Sequence, residues 1–437
     1  MIFGFGRNRA EEEEEQEEEL ELVLFQGALN GKDANLAANK RLVELALLRS
    51  KEMVSDALNR RAEMIRLDPK GKAAVVTIFI DGVPYAGERM PVQAGTAVTQ
   101  MIKLLAGLDI KVRNKPQSGG IRAEFDEKPY ELRVDAIPLK TGGERLLIRA
   151  QNTDEQLETP DDVGIPMELR EKIRELSSNR QGVILAAGPP MSGVSTTAMA
   201  MMRCIDAYLY SIYNLADLGG RDLMHITNFE RKPDDDLEQT IARAIRSEAD
   251  VLFVDPLRDV EMARTIFGMA DKVCFASEIK APDAASAILQ LNKWLGDPKL
   301  TAARLQMVVS SKLIRKLCKD CKQAFRPNPK LVQKVGLPPE TSVLYRTPQP
   351  VEVDGKIEEP DPCRFCGGIG YYGRTAMFEV IEMTDSVRKI VAAGGDAAAI
   401  KQQARKEKMS SLRSEGLRLV AEGVTSLEEL QRAFKAG

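Results

Sequence analysis

Between Gly182 and Leu295 short apolar runs alternate with amphipathic stretches, and this alternation leaves the chain few ways to fold. Gly182–Ala187 is apolar and has the length of a buried strand. Further strands are predicted at Ser211–Ala216, Val251–Asp255 and Val273–Ser277, with helices at Leu237–Ser247, Val260–Met269 and Asp283–Leu295. Strands divided by helices cannot pair as tight hairpins. The expected arrangement is a parallel sheet covered on both faces, an α/β domain.

The first strand runs into Gly188-Pro189-Pro190-Met191-Ser192-Gly193-Val194-Ser195-Thr196-Thr197, and a helix is predicted from about Ser195 to Asp206. Strand, glycine loop and helix in that order are the setting of a phosphate-binding loop, in which backbone N–H groups and a helix N-terminus face the phosphates. Gly188 and Gly193 keep the spacing, Ser195 stands where a hydroxyl holds Mg²⁺, and Thr196 follows it. Val194 occupies the lysine position, the one side chain of the motif whose charge reaches the β and γ phosphates. Backbone binding of ATP phosphates thus survives on paper while hydrolysis is in question. A second reading is equally open: the prolines and Gly193 simply shape a tight strand-to-helix turn.

The rest of the chain reads as two further regions. Nine glutamates between Glu11 and Glu21 repel one another and cannot pack, so residues 1–31 are expected to be a disordered or solvent-facing arm, or an acidic docking tail. An amphipathic helix is predicted over Val43–Ile65, a strand over Val75–Ile80 ending in an Asp81-Gly82 turn, a helix over Thr99–Leu108, and strands near Tyr130–Ile137 and Arg145–Ala150. These make an N-terminal α+β domain, 32–150, joined by a polar linker, 151–164, to a second domain, 165–437, that opens with a helix over Pro166–Ser178. The tail from Leu300 reads as mainly helical, interrupted by a proline-rich segment between Cys318 and Cys366.

No run reaches the roughly 18 apolar residues of a transmembrane helix, and the N-terminus lacks a signal-peptide core, so a cytoplasmic protein is expected, docking peripherally on a membrane complex through partners. Six cysteines in 437 residues are few for a secreted scaffold. Cys318 with Cys321 and Cys363 with Cys366 form two C-x-x-C pairs, which suit a closed tetrahedral zinc site; the alternative is free thiols in a reducing compartment. Cys204 and Cys274 read as core residues, and the sole histidine, His225, as an incidental polar residue.

Several blocks together resemble the ATPase family that powers type II secretion and type IV pilus assembly. Ala106-Gly107-Leu108-Asp109-Ile110, Pro116-Gln117-Ser118-Gly119, Arg133-Val134 and Gly143-Glu144-Arg145 with Arg149 are similar to blocks of its first domain, and Ala62–Pro69 with Ile80-Asp81-Gly82 to its ASDIHIEP and RIDG segments. The second cysteine pair runs into Gly370-Tyr371-Tyr372-Gly373-Arg374 and Phe378-Glu379-Val380, as in the family, and Gly423–Leu430 resembles its ending. The resemblance implies a RecA-like P-loop NTPase domain, a zinc-binding insert at 318–366, and a ring of subunits, possible hexamers included, that meets inner-membrane platform proteins. It also implies that Arg133 and Arg149 lie near nucleotide phosphates.

At the positions expected to do chemistry the resemblance fails. The glutamate of the TxEDP segment falls on Ala216, leaving Asp217 as a nearby acid; the Gly-Glu pair of the next strand is Asp255-Pro256; and the histidine of STLHTNDA is Lys280. Alanine cannot orient water, and a lysine offers a point charge in place of a neutral imidazole. The reading that follows is an ATPase-fold subunit with weak or lost hydrolysis, assembling with itself or with an active relative. Two alternatives stand beside it: a working motor in which Lys280 and Asp255 substitute for the missing groups, and a scaffold or regulatory protein that uses no nucleotide. Neither a basic stripe with aromatics nor a reading helix points to nucleic acid.

Overall fold

The computed structural model describes residues 21–155, 159–218, 223–353 and 356–435. Of the acidic block only Glu21 falls among them, so the charge block itself lies outside the described residues. The chain divides into two compact units, one ending at residue 156 and the other beginning at 157.

Unit one is a seven-stranded antiparallel sheet backed by two helices. Its strands are β1 (Leu24–Ala28), β2 (Met64–Lys70), β3 (Ala73–Ile80), β4 (Val83–Pro91), β5 (Gln117–Phe125), β6 (Lys128–Pro138) and β7 (Glu144–Asn152), in the order β1-β5-β6-β7-β2-β3-β4. The helices are α1 (Lys40–Asn59) and α2 (Val92–Leu105). Alternation in β3 sends Ala74, Val76, Ile78 and Ile80 into the core and leaves Val75, Thr77 and Phe79 half-buried on the other face. The helix predicted to reach Ile65 stops at Asn59: Arg61 takes a left-handed φ of 60°, and the Ala62 N–H closes back on the Ala57 carbonyl at 2.8 Å. Ile65 belongs instead to β2, fully buried. Helix α2 starts earlier than predicted, at Val92. Leu24–Ala28, inside the segment read as an arm, pairs with β5.

Unit two opens with α3 (Pro160–Val163) and α4 (Met167–Ser178). Strands β8 (Gly182–Gly188), β9 (Ile212–Asn214), β10 (Thr227–Asn228), β11 (Val251–Phe253), β12 (Cys274–Lys280) and β13 (Leu305–Leu317) then alternate with α5 (Val194–Met202), α6 (Leu237–Arg246), α7 (Val260–Met269), α8 (Ala284–Leu295) and α9 (Pro298–Arg304). Asp236, Asp259 and Asp283 each begin a helix by accepting a first-turn N–H, from Gln239, Met262 and Ser286. All seven residues of β8 are buried, and their alternation feeds two cores: Val183, Leu185 and Ala187 on one side of the sheet, Ile184 and Ala186 on the other. The result is the expected α/β layering, with helices on both faces.

The tail is where expectation and structure part. Past Cys318 come two small antiparallel pairs, β14 (Gln323–Phe325) with β15 (Leu344–Arg346) and β16 (Val351–Val353) with β17 (Lys356–Glu358), and the short α10 (Pro329–Val335). Then β18 (Tyr371–Glu382) returns to the main sheet, followed by α11 (Asp385–Ala392), α12 (Ala397–Lys406), α13 (Leu412–Ala421) and α14 (Leu427–Lys435). The sheet order is β10-β9-β11-β12-β8-β13-β18, and β18 pairs antiparallel to β13. The tail is therefore not mainly helical from Leu300, and the sheet is not wholly parallel. Two long strands flank the cysteine segment because β13 has the centre of the sheet on one side, through β8, and β18 on the other.

Candidate functional site

The glycine loop leaves the middle of the unit-two sheet. Gly188 ends β8 directly opposite Lys280, the last residue of β12, and the Ala281 N–H donates to the Gly188 carbonyl at 3.3 Å. A Cβ at Gly188 would lie 2.1 Å from the Ser192 hydroxyl oxygen, so any larger residue there would make that side chain turn away. Gly193 holds φ 82° at the N-cap of α5, and Met191 holds φ 66°, a left-handed conformation that a bulky side chain rarely adopts. The loop keeps a phosphate loop's outline at the cost of local strain.

Its donors are another matter. Pro189 and Pro190 carry no N–H, and the Ser192 N–H is turned inward to the Pro189 carbonyl at 3.2 Å. Val194 begins α5 and packs half-buried against the core beneath, adding no charge. Ser195 and Thr196 are half-buried in the first turn. The Ser195 hydroxyl donates 2.8 Å to Oε2 of Glu278, a residue of β12. Beside the loop lies a cleft of about 430 Å³ whose walls include Pro190, Arg258, Glu278, Lys280, Gln290 and Trp294.

The acids singled out from the sequence point elsewhere. Asp255 accepts from the Asp217 N–H at 2.9 Å through one oxygen and from Arg231 at 2.8 Å through the other. Its carboxylate is thus engaged on the neighbouring strand end, and neither Asp217 nor Asp255 lines the cleft. Ala216 is half-buried, its N–H bonded to the Asn214 side chain. His225 is exposed and sits beside the Tyr208 ring. Of the predicted residues the structure brings together Gly188, Val194 and Lys280, and it adds Glu278, which sequence reasoning passed over. The signal was present: Glu278 is the one acid in a strand whose other residues from Cys274 to Ile279 are buried.

A magnesium nucleotide fits these residues poorly. The loop carries no lysine, two of its residues are prolines without an N–H, the Ser192 N–H is taken by an internal bond, and a carboxylate accepts from the Ser195 hydroxyl. Lys280 and Arg258 give the cleft positive charge, but outside the loop itself.

In unit one, Arg133 of β6 and Arg149 of β7 are direct cross-strand partners on the face away from the helices. Like charges so placed repel. Each is balanced by an acid of β6: Asp135 pairs with Arg149, and Glu131 lies 3.9 Å from Arg133.

The four cysteines meet as their spacing predicts. Cys318, Cys321, Cys363 and Cys366 place all their sulfurs within 4.8 Å of one another, with Cys318 to Cys363 at 3.9 Å and Cys321 to Cys366 at 3.8 Å. Tetrahedral zinc with bonds of ~2.3 Å separates its sulfurs by about 3.8 Å, so the set fits such an ion. N–H groups of Cys366 and Phe365 hold the Cys363 thiol below its ordinary value, while burial raises Cys321 and Cys366. Burial alone pushes Cys274 to about 12 and, against two arginines, Cys204 to about 12, as expected of inert core thiols.

Next to this cluster a buried knot fastens the last helix to the sheet. Arg315 of β13 donates from Nη2 to Glu429 of α14 at 2.7 Å, and its guanidinium lies 4.0 Å from the Tyr371 ring centre. Arg432 donates to the same carboxylate, and the Tyr371 hydroxyl meets that of Ser426 at 2.8 Å.

No helix among the described residues is long and apolar enough to cross a membrane. Compared with known proteins, residues 39–432 match the family described as Type II/IV secretion system protein. The chain is 28% identical over 387 residues to the type IV pilus assembly ATPase PilB of Thermus thermophilus, covering 87% of this chain and 42% of that protein. It is 29% identical over 409 residues to PilB of Myxococcus xanthus, covering 91% and 68%, and 27% identical over 389 residues to the type II secretion system protein E of Aeromonas hydrophila, covering 88% and 74%. The chain therefore spans less than half the length of the Thermus relative. Among solved structures, the ATPase DotB of Legionella pneumophila superposes with a TM-score of 0.54 at 13% identity, covering 90% of this chain and 96% of that one. DotB of Yersinia pseudotuberculosis gives 0.55 at 12%, covering 88% and 93%. The fold is thus an α/β fold like that of these ATPases.

Proposed function

The chain belongs to the Type II/IV secretion system protein family, and on that premise we propose that it is an ATPase-fold subunit of a type II secretion or type IV pilus assembly machine that has given up fast ATP hydrolysis. One observation carries the proposal. At the loop where a motor needs a lysine and an Mg²⁺-holding serine, there is a valine, and the serine hydroxyl is bonded to a carboxylate. Loss of the lysine removes transition-state charge, and Ala216 cannot direct water from the position of the family's glutamate. The division of the chain agrees: the cysteine cluster and the α14 knot that hold unit two together are complete. In this reading the protein packs into an oligomer, with copies of itself or an active relative, meets inner-membrane platform proteins, and carries structural zinc. The domain limits at 32–150 and 165–437, and the roles of Arg133 and Arg149 near a phosphate, belong to the same proposal.

Purified full-length chain, given ATP and Mg²⁺, should release phosphate no faster than a Ser195→Ala variant. Robust turnover abolished by that substitution would overturn the proposal. The position of Lys280, level with Gly188 and lining the cleft, favours the alternative of a working motor with a displaced lysine. In that case Lys280→Met should abolish a measurable wild-type rate.

A further inference from the structure

We propose that Glu278 is a built-in anion that takes the place of a nucleotide phosphate at the mouth of the loop, so that the protein's own carboxylate keeps nucleotide out of the cleft. This rests on the reading of the site as non-hydrolysing and adds what prevents it from binding. Ser195 lies in the first turn of α5, where N–H groups have no acceptor within the helix and the partial positive charge of the helix end favours an anion. The carboxylate that arrives there comes from β12, two residues before Lys280, and it accepts a hydrogen bond of 2.8 Å from the Ser195 hydroxyl.

A phosphate entering the same place would bring negative charge against Glu278, in a part-buried setting where water screens poorly. The groups that would offset this repulsion have gone from the loop, since Val194 replaces the lysine and Pro189 and Pro190 donate nothing. What remains are Lys280 and Arg258, which line the cleft together with the carboxylate. Ionised, Glu278 offsets one of these two positive charges. With Glu278 replaced by a neutral residue both positive charges stand unopposed, beside the first turn of α5. The residue thus sets how strongly the cleft attracts an anion.

The experiment is an equilibrium titration of full-length protein with an ADP analogue bearing a fluorophore on its ribose, in the presence of Mg²⁺, read by anisotropy. Glu278→Gln, which preserves size, and Glu278→Thr, which removes the reach altogether, should both bind at least about tenfold more tightly than wild type. Adding Lys280→Met to Glu278→Gln should remove most of that gain. Should one variant fail to match the wild-type melting temperature, the other decides. Equal affinity in wild type and variants, whether tight or weak, overturns the inference. Phosphate release assayed on the same samples separates the two claims: turnover by wild type refutes the non-hydrolysing reading, whereas a silent wild type whose variants gain no affinity refutes the role of Glu278 alone.

Discussion

Replacing Glu429 with alanine should destabilise the second unit by about 3–5 kcal/mol, the usual consequence of leaving one member of a buried ion pair without its partner. The side chain of Glu429 is 0% exposed and that of Arg315 only 10%, so water cannot take over when the carboxylate is removed. Arg315 would lose bonds at 3.0 and 2.7 Å and the acceptor of its own N–H at 3.2 Å. Arg432, which is 37% exposed, can turn to solvent and contributes little to the loss. For a unit of this size the loss corresponds to a fall in melting temperature on the order of 10 °C. Urea unfolding followed by circular dichroism would measure it. The double variant Glu429→Met with Arg315→Met removes both charges and should recover to within about 2 kcal/mol of wild type. A loss below about 1 kcal/mol in the single variant, or a double variant as unstable as the single, would show that the buried charges are not coupled as argued.

The same carboxylate should make stability depend on acid. Burial pushes Glu429 upward, but Arg432 and Arg315 outweigh it and hold the group below its ordinary range, so its stabilisation is complete above the unfolded value near pH ~4.3 and is lost as pH falls through the lower, folded value. Urea midpoints between pH 7 and 3 should fall more steeply for wild type than for Glu429→Gln. Elemental analysis should find about one zinc per chain in the purified protein, and Cys363→Ser should lower that content and the melting temperature together. In unit one, Lys103 is fully buried and bonded at 2.7 Å to Glu144 and to the Val112 carbonyl; Lys103→Met should cost about 3–5 kcal/mol, part of it regained when Glu144→Gln is added, because both changes keep the volume. Val194→Lys alone should not produce phosphate release, because Glu278 and the two prolines remain.

The parts of this chain that were legible in its sequence are those whose causes are local. A C-x-x-C pair fixes its own turn, so the cluster is foreseen from four residues. Strand β8 with its loop is likewise local, as a short apolar run ending on a glycine against which Ser192 folds back. Strand β12 was expected to end at Ser277 and runs to Lys280, because its last residues are held by pairing with β8, a partner 92 positions earlier in number. Strand β13 was hidden for a similar reason. Its buried Ser310, Ser311 and Arg315 look like surface residues until partners from distant segments, such as Glu429, are supplied. Glu278 was overlooked because its meaning depends on Ser195, and no spacing rule joins a strand residue to one on a helix 83 positions away.

Arg315 also has a history in time. Its counter-charge lies 114 residues further along the chain, a distance that takes on the order of 6–20 s to synthesise at ordinary rates of translation. Until α14 has left the ribosome, Arg315 of β13 lacks the Glu429 carboxylate. The second unit therefore cannot lock its final packing while it is being made. Truncations that remove only the last dozen residues should leave a nascent chain with most of its sheet and none of its closure, a natural substrate for chaperones and proteases.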